Sequence, residues 1–257
     1  MTALPPGFYK YAEREDARRL DEILEGAGNG PLSAKTRDEL QEIAVRSPKP
    51  GEYEARRQVV DTLYIKAWPG EETWYHYVYE EKHFDESVIS VVCLPAVYPV
   101  AWLVLARELD SSGNAEEGRK FAEVSMSIEE HPSSLCELGA MVGAEGKHEL
   151  ALGLFSRAFE MREDAAPWLR ARAALGVGVT LLEDGQLDKA EEAIRLSLQF
   201  EPESGVAAHA LRYVEEARAE AAEAAETGEA AEAGEEPSAV DDDASEEQAD
   251  PQEGTSR

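Results

Sequence analysis

Three side chains stand at a spacing that could hold a metal ion. His76, Glu80 and His83 lie at i, i+4 and i+7, and a helix would set all three on one face. Two imidazoles and a carboxylate are a zinc-capable set. Their order is not His-Glu-x-x-His, and a turn at His83 would take it off the helix, so they read as surface residues and no metal site is expected. His131, His148 and His209 are scattered. Cys93 and Cys136 are the only cysteines. Two isolated thiols make no disulfide framework and no zinc pattern, and they fit a reducing, cytoplasmic setting. The chain has no Gly-x-Gly-x-x-Gly, no phosphate-loop lysine and no Gly-x-Ser-x-Gly. No cofactor and no catalysed reaction are expected.

The aromatic residues carry more information. Of 19 in the chain, 13 lie at or before Trp102, and Trp68, Trp74, Tyr75, Tyr77 and Tyr79 crowd one short stretch. They form either a core under the N-terminal elements or a partner surface. For the surface reading the candidates are Trp74, Tyr75, Tyr77 and Tyr79, because tryptophan and tyrosine are enriched at binding hot spots.

Charge narrows the classes of partner. The chain has 257 residues, with 54 acids and 25 bases, a net −29. The stretch from Ala219 to Arg257 holds 14 acids and one base, −13 in all, which leaves −16 on everything before it. Acidity of this size excludes a phosphate-backbone binder and opposes docking on anionic lipid. The stretch from Ala219 has no aromatic residue and too few apolar ones to offset chain entropy, so 227–257 is expected to be a disordered acidic tail. No apolar run follows the N-terminus, so no signal peptide is expected. Ser87 to Ala106 carries no charge and is long enough to span a bilayer as a helix. Pro95 and Pro99 interrupt that run, which suggests two buried helices meeting at Pro99 in place of a membrane span.

Three windows then align on glycines. Trp102, Leu105, Ala106 and Leu109 precede Gly113, and Gly118, Ala122 and Ser125 follow it. Leu135, Leu138, Gly139 and Val142 precede Gly146, with Ala151, Phe155 and Ala158 after it. Ala174, Val177, Gly178 and Leu181 precede Gly185, with Ala190, Ile194 and Ser197 after it. Small residues let paired helices approach, apolar residues at i, i+3 and i+7 build a buried stripe, and the three glycines can take the positive φ that ends a helix. The step from Gly146 to Gly185 is longer than the step from Gly113 to Gly146, which places an insertion around Met161 to Trp168.

The spacing resembles the tetratricopeptide repeat family, over Pro99 to Pro202. The resemblance implies an all-α helix-turn-helix solenoid. A degenerate fourth repeat is expected at 71–98, although Val88-Ile89 and Val91-Val92 could equally be a strand. A capping helix is expected at 203–226. Residues 1–70 read as an N-terminal helical region, with helices at Tyr11 to Glu25, Ser33 to Arg46 and Tyr53 to Trp68. The resemblance also implies a concave groove lined by first helices, at Leu103, Arg107, Cys136, Ala140, Gly143, Leu175, Val179 and Leu182. Members that clamp the terminal carboxylate of heat-shock chaperones carry Asn, Lys and Arg at such places. Ala140 and Val179 stand there instead, with Arg107 the only base, which implies an apolar groove unless the chain's own segments fill it. The function implied is a non-catalytic adaptor or chaperone-like binder of another protein's peptide segment. The alternative is an assembly component that self-associates through the array and the aromatic region.

Overall fold

The computed structural model describes residues 4–27 and 30–232. The array of helical pairs is built as the spacing predicts. Helices α4 (Val97–Ser111) and α5 (Ala115–Ile128), α6 (Pro132–Ala144) and α7 (His148–Glu160), and α8 (Pro167–Glu183) and α9 (Leu187–Phe200) form three successive pairs. Each helix packs most extensively on its pair-mate, and α5 meets α6 as α7 meets α8. Gly113, Gly146 and Gly185 close the first helices with φ of 87°, 76° and 74°, a conformation that a Cβ disfavours. Gly118 stands where the later pairs have Ala151 and Ala190, and the structure supplies the reason. A Cβ there would lie 2.8 Å from the Ala106 carbonyl oxygen. The first pair therefore crosses at backbone contact.

Ahead of the array, α1 (Tyr11–Ala27) and α2 (Ala34–Ala44) are helices as expected. Ser33 caps α2, its Oγ accepting the Thr36 N–H at 3.1 Å, and Leu40 and Ile43 are fully buried. After the array comes α10 (Gly205–Glu232). Its Ala207, Ala210 and Val214 share a core with Leu181, Ala190 and Ile194. The first compact unit ends at Glu216, and the second, from Ala217, is helical as far as Glu232. The acidic tail expected from 227 is thus helix up to Glu232, and the remainder lies outside the described residues.

The all-α expectation fails between residues 53 and 98, so the chain is mostly rather than wholly helical. Tyr53 to Trp68 is no helix. It forms β1 (Arg56–Val59) and β2 (Thr62–Ala67), an antiparallel hairpin. Strand β3 (Ser90–Pro95) then pairs parallel with β2, in the order β1-β2-β3. The crossover between the parallel strands holds the short helix α3 (Glu72–His76) and a π-helical turn, Tyr77–Glu81. The degenerate repeat expected at 71–98 therefore lacks its second helix. Branched residues explain both outcomes: Val59, Val60, Thr62 and Ile65, then Val88, Ile89, Val91 and Val92, favour a pleated surface. The uncharged run from Ser87 is a strand followed by a helix, not two helices, with Pro99 in the first turn of α4 where its missing N–H is harmless. Among the described residues no helix is long and apolar enough to cross a membrane.

The hairpin turn is strained. Val60 and Asp61 link the strands, and Val60 has φ of 56°. Positive φ at the first loop position is the type II′ pattern, which favours glycine. A branched side chain there costs about 1–2 kcal/mol, and glycine's extra backbone entropy takes back part of the gain. Val60→Gly is expected to raise stability by about 0.5–1 kcal/mol, seen as a higher midpoint in thermal unfolding.

Candidate functional site

A groove of about 300 Å³ lies between α6 and α8. Helix α6 lines it with Cys136, Gly139, Ala140, Gly143 and Ala144, and α8 with Arg172, Leu175, Gly176, Val179, Thr180 and Glu183. Phe155 of α7 forms the floor. Its ring lies between two glycine backbones: a Cβ on Gly139 would come within 3.0 Å of it, and one on Gly176 within 2.3 Å. Gly176 has no place in the repeat signature, so only its neighbour Gly178 stood out in the sequence.

Five of the eight expected groove residues line this space: Cys136, Ala140, Gly143, Leu175 and Val179. Leu103 does not. It is buried in the core that α4 shares with Leu40 and Ile43 of α2. Leu182 joins the core shared by α9 and α10. Arg107 is ion-paired at the surface, its Nε 2.8 Å from Glu137 Oε2, and it is not the groove's only base. Arg172, unmarked in the sequence, lines the groove and pairs with the same carboxylate. Burial pushes the Glu137 carboxyl up, but the Arg107 and Arg172 guanidiniums outweigh it and hold it below its ordinary range. Burial pushes the Cys136 thiol up to about 12, so it stays protonated and is no nucleophile.

His76 and Glu80 pair at 3.3 Å, while His83 lies beyond the π-helical turn with φ of 51°. Among the described residues no group of three His, Cys, Asp or Glu side chains is placed to hold a metal ion.

The aromatic stretch divides. Tyr75 and Tyr79 are buried, so they cannot belong to a partner surface. They pack with Leu63, Ile65 and Val91 under the sheet. The insertion after α7 explains their burial, because it clasps this N-terminal lobe. Asp164 accepts from Arg56 at 2.8 Å, from Arg162 at 3.0 Å and from Tyr79 Oη at 2.6 Å. Its backbone oxygen accepts the Trp74 indole N–H at 2.8 Å. Arg162 also reaches the Tyr75 hydroxyl at 2.6 Å. Trp74 is half-buried and Tyr77 exposed, and the Trp74 ring meets both Tyr77 and Trp168.

A second polar cluster joins the lobe to the array. Trp68 stacks on the buried His131 ring at 4.2 Å. His131 Nδ1 accepts the Ser133 N–H at 3.2 Å, so Nε2 carries the proton that points to Glu71 Oε1, also at 3.2 Å. Glu71 further accepts from the Trp68 N–H and the Tyr75 hydroxyl. The Trp68 indole N–H donates to Glu129 at 3.0 Å. Burial pushes the Glu129 carboxyl up to about 7, against the pull of His131 and of that hydrogen bond. A folded-state value raised above 4.5 stabilises the fold at acidic pH, and that contribution is lost as pH climbs through about 7. The loss is expected to be on the order of 2 kcal/mol. Glu129→Gln should flatten it, as read by urea unfolding across that range.

No family model matches the chain, and no curated protein matches it. Among solved structures, the chain is similar to one titled "MamA RS-1 ArsTM double mutant", with 16% identity over 48% of this chain and 95% of that one, at a TM-score of 0.25, a likeness too distant to bear on function.

Proposed function

We propose that this chain is a non-catalytic protein-interaction module that holds a peptide segment of a partner protein between α6 and α8. The observation that carries the reading is the groove itself. Its walls present Ala140, Gly143, Leu175 and Val179, and its floor is an aromatic ring flush between two glycines. Such a surface suits side chains buried by the hydrophobic effect, as in helix-in-groove recognition. The chain's acidity favours partners with basic flanks. Its two unpaired thiols suit a cytoplasmic setting. Leu175→Asp with Val179→Asp is expected to abolish recovery of the partner from cell extract. Val179→Asp alone, at a more exposed position, gives the same direction with less risk to folding. Full recovery by the folded variants would overturn the groove reading.

Self-association is favoured by one separate observation. At the hairpin end Val60 is 87% exposed and Ile89 is 72% exposed, and Ile89 donates its N–H to Asp61 at 2.8 Å. Two apolar side chains so placed are a candidate contact. Light scattering decides it: concentration-dependent growth abolished by Ile89→Lys supports assembly, and a monomer at every concentration rules it out.

A further inference from the structure

Outside the groove, the structure leaves three aromatic rings partly open to solvent in one place. Trp74 and Trp168 meet edge to face with ring centres 6.3 Å apart, and Trp74 and Tyr77 lie 5.6 Å apart. Trp168 is 39% exposed and Tyr77 37%. Two of the rings come from the N-terminal lobe and the third from the start of α8, so the site exists only where the lobe and the array meet. Trp74 is fixed there by its hydrogen bond to Asp164.

This shelf continues the groove. Trp168, Arg172, Leu175 and Val179 are spaced at four, seven and eleven positions along α8, which places them on one stripe of the helix. Arg172, Leu175 and Val179 line the groove. Trp168 precedes Leu175 by about 10 Å along the axis and Val179 by about 16 Å.

The shelf's chemistry favours a cation. Tyr77 already seats one: the Lys82 ammonium lies 4.9 Å from its ring centre. Among the described residues no cation is placed over Trp74 or Trp168. An indole face is the strongest cation acceptor among the aromatic side chains, and the net −16 on the residues before Ala219 draws basic segments towards it. We propose that the partner segment carries an arginine or lysine that packs on Trp74 and Trp168 while apolar residues three to five positions away fill the groove. This rests on the groove reading above. The separation follows from the axial distances and about 3.3 Å per extended residue.

Selection of a random twelve-residue peptide library on the full chain supplies the probe, and the enriched peptides are then synthesised with arginine or with its neutral isostere citrulline. Enriched peptides should place a basic residue three to five positions from an apolar pair. Citrulline should weaken binding about fivefold in the wild type and not in Trp168→Ala, while Trp168→Phe keeps part of the difference. Equal binding of the arginine and citrulline peptides would overturn the shelf. In that event loss of binding by Leu175→Asp still upholds the groove. Binding indifferent to Leu175→Asp, or no enriched peptide at all, overturns both.

Discussion

Phe155→Ala is expected to destabilise the chain by about 3–5 kcal/mol, the range for removing a buried phenylalanine ring. Three features put it in the upper part of that range. The ring is buried. It is held between the backbones of Gly139 and Gly176, and neither glycine has a side chain to move into the space. It also belongs to the core that runs from the N-terminal segments through α7, so the cavity opens between α6, α7 and α8 rather than at a frayed end. Relaxation can recover little of the lost contact. Denaturant unfolding reads the loss directly. A loss under about 1 kcal/mol would mean that the floor collapses.

Asp164→Ala comes second, at about 3 kcal/mol, because it breaks a buried ion pair from one side. The alanine leaves the Arg56 guanidinium, the Arg162 guanidinium and the Tyr79 hydroxyl without their shared acceptor. Arg56 is part-exposed, which keeps the figure at the lower end. Burial and Asp164 push the Tyr79 hydroxyl up to about 12. It therefore donates to the carboxylate throughout the physiological range. Asp164→Asn keeps an acceptor and should lose roughly half as much. The Trp74 indole N–H bonds to the backbone oxygen of residue 164, which alanine keeps, so its exchange with solvent should rise only as far as losing the carboxylate loosens the insertion. An unchanged indole signal would show that the backbone bond holds Trp74 without the Asp164 carboxylate.

The repeats were legible because their signals are local. Gly113, Gly146 and Gly185 end helices by backbone geometry alone, and Ala106, Gly139 and Gly178 mark close approaches within a pair. The hairpin was not legible, for a physical reason. Strand β2 is the middle strand, and Leu63 to Ala67 are all buried, so the alternation that betrays a half-exposed strand is missing. Lys66, which looks like a surface residue, is buried against Glu13 and lies over the Tyr53 ring. The groove was half legible. Helical register found its α6 and α8 walls, but nothing near Leu103 signals that it belongs to a core shared with α2. Glu71 and His131 are 60 residues apart in the chain, and no spacing rule connects them. The insertion at Met161 to Trp168 was visible as a lengthened step between turn glycines, but its work of joining the lobe to the array depends on Asp164 finding Arg56 across 108 positions.

The most direct test of peptide binding between α6 and α8 is the affinity of a library-selected peptide for Ala140→Glu against the wild type. Ala140 lines the groove with its side chain exposed, so a glutamate there fills the space without disturbing the core. Binding in the groove requires at least about a tenfold loss of affinity at an unchanged unfolding midpoint. Equal affinity for the two proteins would place the peptide elsewhere and contradict the assignment.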